Sequence, residues 1–277
     1  MRIATWNVNS LKARMDRVEE WLAEKKPDVL LMQETKLADE AAPAMPFSMA
    51  GYELLHHGEG RWNGVAIASR VGISDVVTNF GDGPVRRSPG ADAIAEALEA
   101  EASEASADEA RMVSAVCGGV RVVSIYAPNG RALDTPFYRA KLAWYDRLTR
   151  WLRETQDPAQ SLLIGGDFNV APEDADVYDM ADFTGATHVS GPERSAVKAL
   201  RDWGLVDAYR LHHPEPGKFS WWDYRAGNFH KGLGMRIDHL YVTAPVAARC
   251  TGAEIDRDAR KGKLPSDHAP VYIDLAD

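Results

Sequence analysis

Short apolar runs, each meeting an acid or an amide, constrain this chain more than any other feature. Ile3-Ala4-Thr5-Trp6 leads into Asn7 and Asn9, and Val29-Leu30-Leu31-Met32 into Gln33-Glu34. Val122-Val123-Ser124-Ile125 leads into Tyr126 and, past Pro128, Asn129. Leu162-Leu163-Ile164 leads into Gly165-Gly166-Asp167-Phe168-Asn169. Met235-Arg236-Ile237 meets Asp238-His239, and Leu264-Pro265 leads to Ser266-Asp267-His268, just ahead of Val271-Tyr272-Ile273. Runs this short, rich in β-branched residues and bounded by turn residues, read as buried strands. Strand ends can hold a rigid polar constellation, and open sheets bind ligands there. Carboxylates, amides, a tyrosine and a histidine gathered at such ends point to metal-assisted phosphate chemistry.

Helical spacing separates these runs. Leu11, Met15, Val18 and Leu22 share one face, and Pro27 stops that helix. Thr135-Pro136 caps a second helix through Trp151-Leu152, and Arg194 to Trp203 reads as a third. Residues 52–69 read as two strands joined by a polar turn, and residues 112–126 as a hairpin about Gly118-Gly119. Trp6-Asn7-Val8-Asn9 and Gly166-Asp167-Phe168-Asn169 echo each other after apolar strands. Two similar halves, each a mostly antiparallel sheet covered by helices, would stack into a sandwich.

At 277 residues the chain can bury a sizeable core without covalent staples. Its cysteines, Cys117 and Cys250, lie far apart, which argues against a disulfide framework or a zinc cluster and fits a reducing cytosol. No run of about 18 apolar residues suggests a membrane span, and the N-terminus starts directly with a strand. The net charge of -9 taken alone disfavours a nucleic-acid partner. Residues 88–110, however, hold Asp92, Glu96, Glu99, Glu101, Glu104, Asp108 and Glu109 and no base, so the remainder is near -2. That segment reads as an acidic surface insertion, since its apolar positions are nearly all alanine. Basic residues cluster near the expected site loops: Lys12, Arg14 and Arg17; Arg131, Arg139 and Lys141; Arg225, Lys231 and Arg236; Arg260, Lys261 and Lys263. A basic rim on an acidic protein remains compatible with DNA.

Each candidate has a plainer alternative. Gly-Asp-x-Asn at 166–169 also makes an ordinary Asx turn. Glu34 ends a very apolar strand, where a carboxylate is costly unless paired or metal-bound. Hard oxygens of this kind suit Mg²⁺, and the alternative is a rim ion pair with Lys36. Asp238 can fix an imidazole at His268, ready to donate to phosphate, or the histidine makes a structural hydrogen bond. Tyr126 and Asn129 flank Pro128 and fit a turn equally well. The aromatic run Phe219-Ser220-Trp221-Trp222-Asp223-Tyr224 is core or a platform for a base or sugar.

Together the motifs resemble the exonuclease III family of the endonuclease/exonuclease/phosphatase superfamily. The matching stretches are Trp6 to Arg14, Leu31 to Lys36, Tyr126 to Gly130, Gly166 to Ala171, Phe219 to Arg225, Arg236 to His239 and Ser266 to Pro270, in the family's order along nearly the whole chain. The resemblance implies an α/β four-layer sandwich of two packed, mostly antiparallel sheets flanked by helices, in a single catalytic domain over residues 1–277. It implies a Mg²⁺ site on Glu34, with Asn9 and Asp267 nearby, at which Mn²⁺ can substitute. Asn7 and Asn169 would orient phosphate and carboxylates, and Asp167 would activate the attacking water. His268, paired with Asp238, would contact the scissile phosphate, and Tyr126 and Asn129 would bind phosphate or help the leaving group. Trp221, with Met235 beside it and Arg131 as a further contact, would line the site of an extruded abasic sugar. The implied activity is cleavage 5′ to abasic sites, with 3′-to-5′ exonuclease and 3′-end cleaning on double-stranded DNA, by a cytoplasmic monomer that does not engage membranes. A phosphatase for a small or lipid phosphoester uses the same core, and a DNA-binding module with a decayed site is the third alternative. Competent residues at every matched position argue against decay, and the aromatic block favours DNA.

Overall fold

The computed structural model describes residues 1–81 and 109–276. Two sheets carry the fold. The first contains β1 (Arg2–Asn7), β2 (Val29–Gln33), β3 (Glu53–His57), β4 (Val65–Ser69), β11 (Cys250–Ile255) and β12 (Val271–Leu275), in the order β11-β12-β1-β2-β4-β3. The second contains β5 (Ser74–Thr78), β6 (Met112–Cys117), β7 (Val120–Tyr126), β8 (Leu162–Asp167), β9 (Leu205–Asp207) and β10 (Asp238–Thr243), in the order β5-β6-β7-β8-β10-β9. In each sheet only the central pair is parallel, β1 with β2 and β7 with β8.

Alternation along the strands builds the layers. Ile3, Leu31 and Ile67 of one sheet meet Val122, Leu163 and Leu240 of the other in a shared apolar layer. Ala4, Trp6, Leu30 and Met32 point the other way, under Val18, Trp21 and Leu22 of α1 (Leu11–Lys25). Val123, Ile125 and Ile164 lie under Tyr145 and Leu148 of α3 (Pro136–Thr155) and Val197 and Leu200 of α4 (Gly191–Trp203). The short α2 (Ala44–Met49) adds Phe47 to the layer beneath α1. The result is two mixed sheets face to face with helices outside, the expected sandwich.

Gly165 and Gly166 serve this packing. A Cβ on Gly165 would sit 2.6 Å from Leu240 and 2.8 Å from Leu31, and one on Gly166 would sit 1.9 Å from the Ile125 carbonyl oxygen. They let sheet and strand close up, rather than leaving room for a ligand. Near one edge the inner layer turns polar. Thr5 Oγ1 donates to Gln33 Oε1 (3.2 Å), and Gln33 Nε2 donates across the sheets to Ser124 Oγ (3.0 Å).

Several expectations need correction. The runs at 235–237 and 264–265 are not strands; β10 and β12 begin after them. α4 starts at Gly191, ahead of Arg194, because Ser190 and Glu193 form a capping box. The acidic segment lies outside the described residues except for Glu109 and Ala110. Ala110 is fully buried, so the surface insertion stops short of it. The halves do repeat, but β1-α1-β2 corresponds to β7-α3-β8, so the echo strands β1 and β8 are not equivalent. What the echo shares is a turn. Asn9 N donates to Asn7 Oδ1 (3.0 Å) and Asn169 N to Asp167 Oδ1 (2.9 Å), with Asn9 and Asn169 both left-handed.

Candidate active site

Strand direction gathers the polar residues. β1, β2, β7 and β8 run toward one edge, while β10 and β12, antiparallel to their neighbours, run away from it. Ends of the first group and starts of the second therefore meet. Tyr126, Asp167 and Asp238 stand in register across one sheet, and Asn7 and Gln33 across the other.

Asn7 is the hinge between them. Fully buried, its Nδ2 donates to Glu34 Oε1 and to Asp167 Oδ2, both at 2.9 Å. Glu34 also pairs with Lys36 (2.9 Å), whose ammonium donates to Asn9 Oδ1 (2.6 Å). Asn9 Nδ2 reaches Asp267 Oδ1 (2.9 Å), and the indole of Trp221 donates to Asp267 Oδ2 (3.1 Å). The pairing of Glu34 with Lys36 thus coexists with its place in the cluster. Asn9, Glu34 and Lys36 all hold left-handed backbone, a strain that clusters at functional sites.

Across from Asn7, His268 Nδ1 donates to Asp238 Oδ2 (2.8 Å), while its Nε2 lies 3.8 Å from Asp167 Oδ2. Burial opposes the imidazolium, but Asp238 and Asp167 outweigh it and push the His268 pKa up to about 10. Burial raises Asp167 to about 7; Asp238 and Glu34 add to the rise, and His268 opposes it. Asp267 is likewise pushed up by burial, yet His268 and the bonds from Asn9 and Trp221 bring it below the usual carboxylate range. Burial and the neighbouring Glu34 hold the Tyr126 phenol well above its ordinary value, so it stays a donor.

Asn129 Nδ2 donates to Asn169 Oδ1 (3.1 Å), and Asn169 Nδ2 to the Ala127 carbonyl (2.9 Å), which ties the ends of β7 and β8 together. Arg131 stands outside the cluster; its exposed guanidinium lies 3.6 Å from the ring centroid of Phe137. Met235 is buried beneath Trp221, in a small apolar cluster with Val177 and Ile237.

Three residues of the expected basic rim are not there. Lys141, Arg236 and Arg260 are buried, Lys141 against Glu193, Arg236 between Asp176 and Asp207, and Arg260 against the Trp222 carbonyl. Ser220 went unread: its hydroxyl donates to Asp238 Oδ2 (2.6 Å) and accepts from Asp238 N (3.0 Å), which fixes that carboxylate. Nothing in a serine between aromatic residues signals such a role.

Among the described residues, Glu34, Asp167 and His268 offer ligand atoms all within 4.8 Å of one another. An imidazolium has no lone pair to give, so a cation here is left with oxygens: Glu34, Asp167 and, by way of Asn9, Asp267. That hard donor set suits a small divalent ion. Lys36, seated on Glu34 and Asn9, shows that these oxygens accept positive charge.

Residues 4–268 match the model of the endonuclease/exonuclease/phosphatase family. The chain belongs to that family. Exodeoxyribonuclease III of Haemophilus influenzae is 33% identical over 99% of this chain and 100% of its own. Among solved structures, a family 3′ phosphatase from Neisseria bound to a product DNA hairpin superposes with a TM-score of 0.87 at 36% identity, covering 100% of this chain and 99% of that one. An AP endonuclease from Archaeoglobus fulgidus gives 0.89 at 34% identity, over 99% of each chain. Family members of this kind are metal-dependent nucleases, and the oxygen cluster at the sheet edge fits that chemistry. No helix among the described residues is long and apolar enough to cross a membrane.

Proposed function

We propose that this chain is a Mg²⁺-dependent DNA-repair phosphodiesterase that cuts 5′ to abasic sites, degrades duplex DNA 3′ to 5′ and cleans blocked 3′ ends. The observation that carries this reading is the Asn7 amide held between Glu34 and Asp167, with the Asp238–His268 pair facing it. The Haemophilus exodeoxyribonuclease, the Archaeoglobus AP endonuclease and the Neisseria 3′ phosphatase, each similar along its full length, support the same substrate class.

Phosphodiester hydrolysis needs neutralised phosphoryl oxygens, an oriented water and help for the leaving oxygen. Glu34 is the main ligand for Mg²⁺, or Mn²⁺ in its place, with Asn9 and Asp267 alongside. When bound, the ion supplies positive charge at the phosphoryl oxygens. Asp167 positions the attacking water and takes its proton. Asn7 and Asn169 orient the carboxylates and the phosphate, and His268, held by Asp238, donates from Nε2 to a phosphoryl oxygen. Tyr126 and Asn129 donate to the phosphate and the leaving oxygen. Trp221, backed by Met235, lines the space for the extruded sugar, and Arg131 meets the DNA backbone beyond. Extrusion costs little at an abasic site, where no base is unpaired. Because both sheets contribute to the site, we read residues 1–277 as one catalytic domain, acting as a cytoplasmic monomer on double-stranded DNA.

A duplex with one synthetic abasic site, incubated with Mg²⁺ or with chelator, tests this proposal, alongside a hairpin ending in a 3′ phosphate. Metal-dependent nicking 5′ to the abasic site and release of phosphate are expected. Indifference to both DNAs, with hydrolysis of a small or lipid phosphoester, would overturn it.

A further inference from the structure

Lys141 is buried completely, on the inward face of α3. Its ammonium donates to the Asn169 carbonyl (2.7 Å) and the Asn129 carbonyl (3.2 Å), and it pairs with Glu193. All three N–H groups are thereby used, the condition under which a buried ammonium is tolerated. Glu193, also buried, accepts from Thr187 Oγ1 (2.6 Å), His188 N (2.9 Å) and Ser190 N (3.1 Å), so the lysine's partner is itself immobile. The Asn169 carbonyl takes a second bond from His188 Nδ1 (2.6 Å). A Cβ on Gly130 would lie 2.9 Å from the Lys141 stem, so the loop after β7 rests on that stem. Asn169 holds left-handed backbone at φ 51°, which persists only where the surroundings over-determine it.

The two carbonyls belong to the residues whose side-chain amides bond each other at the site edge. They lie in the loops that follow different strands, β7 and β8, and nothing in the covalent chain near them fixes their spacing. We propose that Lys141, locked by Glu193, is a positioning residue that sets the spacing and aim of the Asn129 and Asn169 amides toward the scissile phosphate. This rests on the site reading above. The lysine touches no substrate; it acts through the two backbones it joins.

Three variants separate positioning from plain stability. Lys141→Met removes the donors and leaves Glu193 buried without its cation, so the melting temperature falls. Lys141→Met with Glu193→Gln removes both charges, and the melting temperature recovers in part, because no charge is left buried without its partner. Both nevertheless lose kcat, by about ten- to hundredfold for a displacement of the order of 1 Å, while KM moves much less. Lys141→Gln keeps one donor and is expected between these and the wild type. All are assayed on the abasic duplex at a temperature where circular dichroism finds them folded. A double variant that recovers kcat along with its melting temperature overturns the proposal. In an Asn169→Ala background Lys141→Met should cost little further, since its effect runs through Asn169; full additivity also overturns it. Wild-type turnover is the control for the site reading. If the wild type is inert on DNA that reading fails, and the side-chain amide NMR signals of Asn129 and Asn169 decide instead: a shift in the double variant supports positioning, and unmoved signals exclude it.

Discussion

Burial, Asp238 and Glu34 oppose the charge on Asp167, and the His268 imidazolium and the Asn169 backbone N–H favour it. Such opposition is costly unless the charge has work to do. Asp167→Asn keeps the shape and the bond to the Asn169 amide but removes the acceptor for a proton. Turnover of the abasic duplex should fall by about 10²–10⁴, the usual contribution of general-base catalysis, while binding measured by gel shift survives. Near-normal turnover would remove Asp167 from the proton's path. Glu34 makes a different demand. Its backbone is left-handed, and its carboxylate is shared between Asn7 and Lys36. Glu34→Gln preserves the reach and loses the anion, so the Mg²⁺ concentration for half-maximal activity should rise about tenfold or more. An unchanged metal titration would mark Glu34 as structural.

At the level of strands and helices, what could be read depended on burial. The central strands β1, β2, β7 and β8 are continuous apolar runs, and their ends point to the site directly. Edge strands β5 and β11 went unread because Ser74-Asp75 and Thr251-Gly252 face solvent and show no apolar run. For β10 the polar residues mark a beginning rather than an end, a distinction that only antiparallel pairing supplies, whereas the apolar run at Val271-Tyr272-Ile273 already sets a strand after Asp267-His268. Lys141 and Arg236 resembled rim cations because nothing local announces Glu193, Asp176 or Asp207 as their buried partners. The Arg236 cluster also sets the state of His239, one residue into β10. Buried, it bonds Arg236 (3.0 Å) and the Val170 carbonyl (3.0 Å). Burial and the Arg236 charge lower its pKa from near 6.5 to about 4. The unfolded chain therefore takes up a proton between these pH values and the folded protein does not, so stability falls as pH falls through that window, by up to about 1.4 kcal/mol per pH unit. His239→Gln lacks this proton uptake. Urea midpoints at pH 7, 6 and 5 should show the wild type losing ground to the variant as pH falls, and a pH-independent gap would show that His239 is not held neutral.

For the molecule as a whole, charge is the open matter, because a net -9 must meet a polyanion. Residues 91–107 carry Asp92, Glu96, Glu99, Glu101 and Glu104 and no base, so their removal takes the net charge to -4. Where that charge is tethered follows from the sheet. β5 ends and β6 begins at the same edge as Tyr126, since Thr78 pairs with Val113 and Met112 with Ile125. The returning chain is fixed there: Ala110 accepts from Gly64 N (3.0 Å), and the Arg111 guanidinium lies 4.9 Å from the Tyr126 ring centroid. The described residues that flank the segment thus lie at the edge that carries Tyr126. Deleting residues 91–107 should leave the anchors and both sheets in place, with little change in melting temperature, and should tighten binding to an abasic duplex. The gain should be largest at low ionic strength and fade as salt is added, because the screening length shrinks to about 3 Å at 1 M. Titrating the duplex into both forms across a salt series gives the answer. Weaker binding by the deletion form at low salt would mean that the segment supports the DNA, and a gain that persists at high salt would mean a steric obstacle instead of a repulsive field.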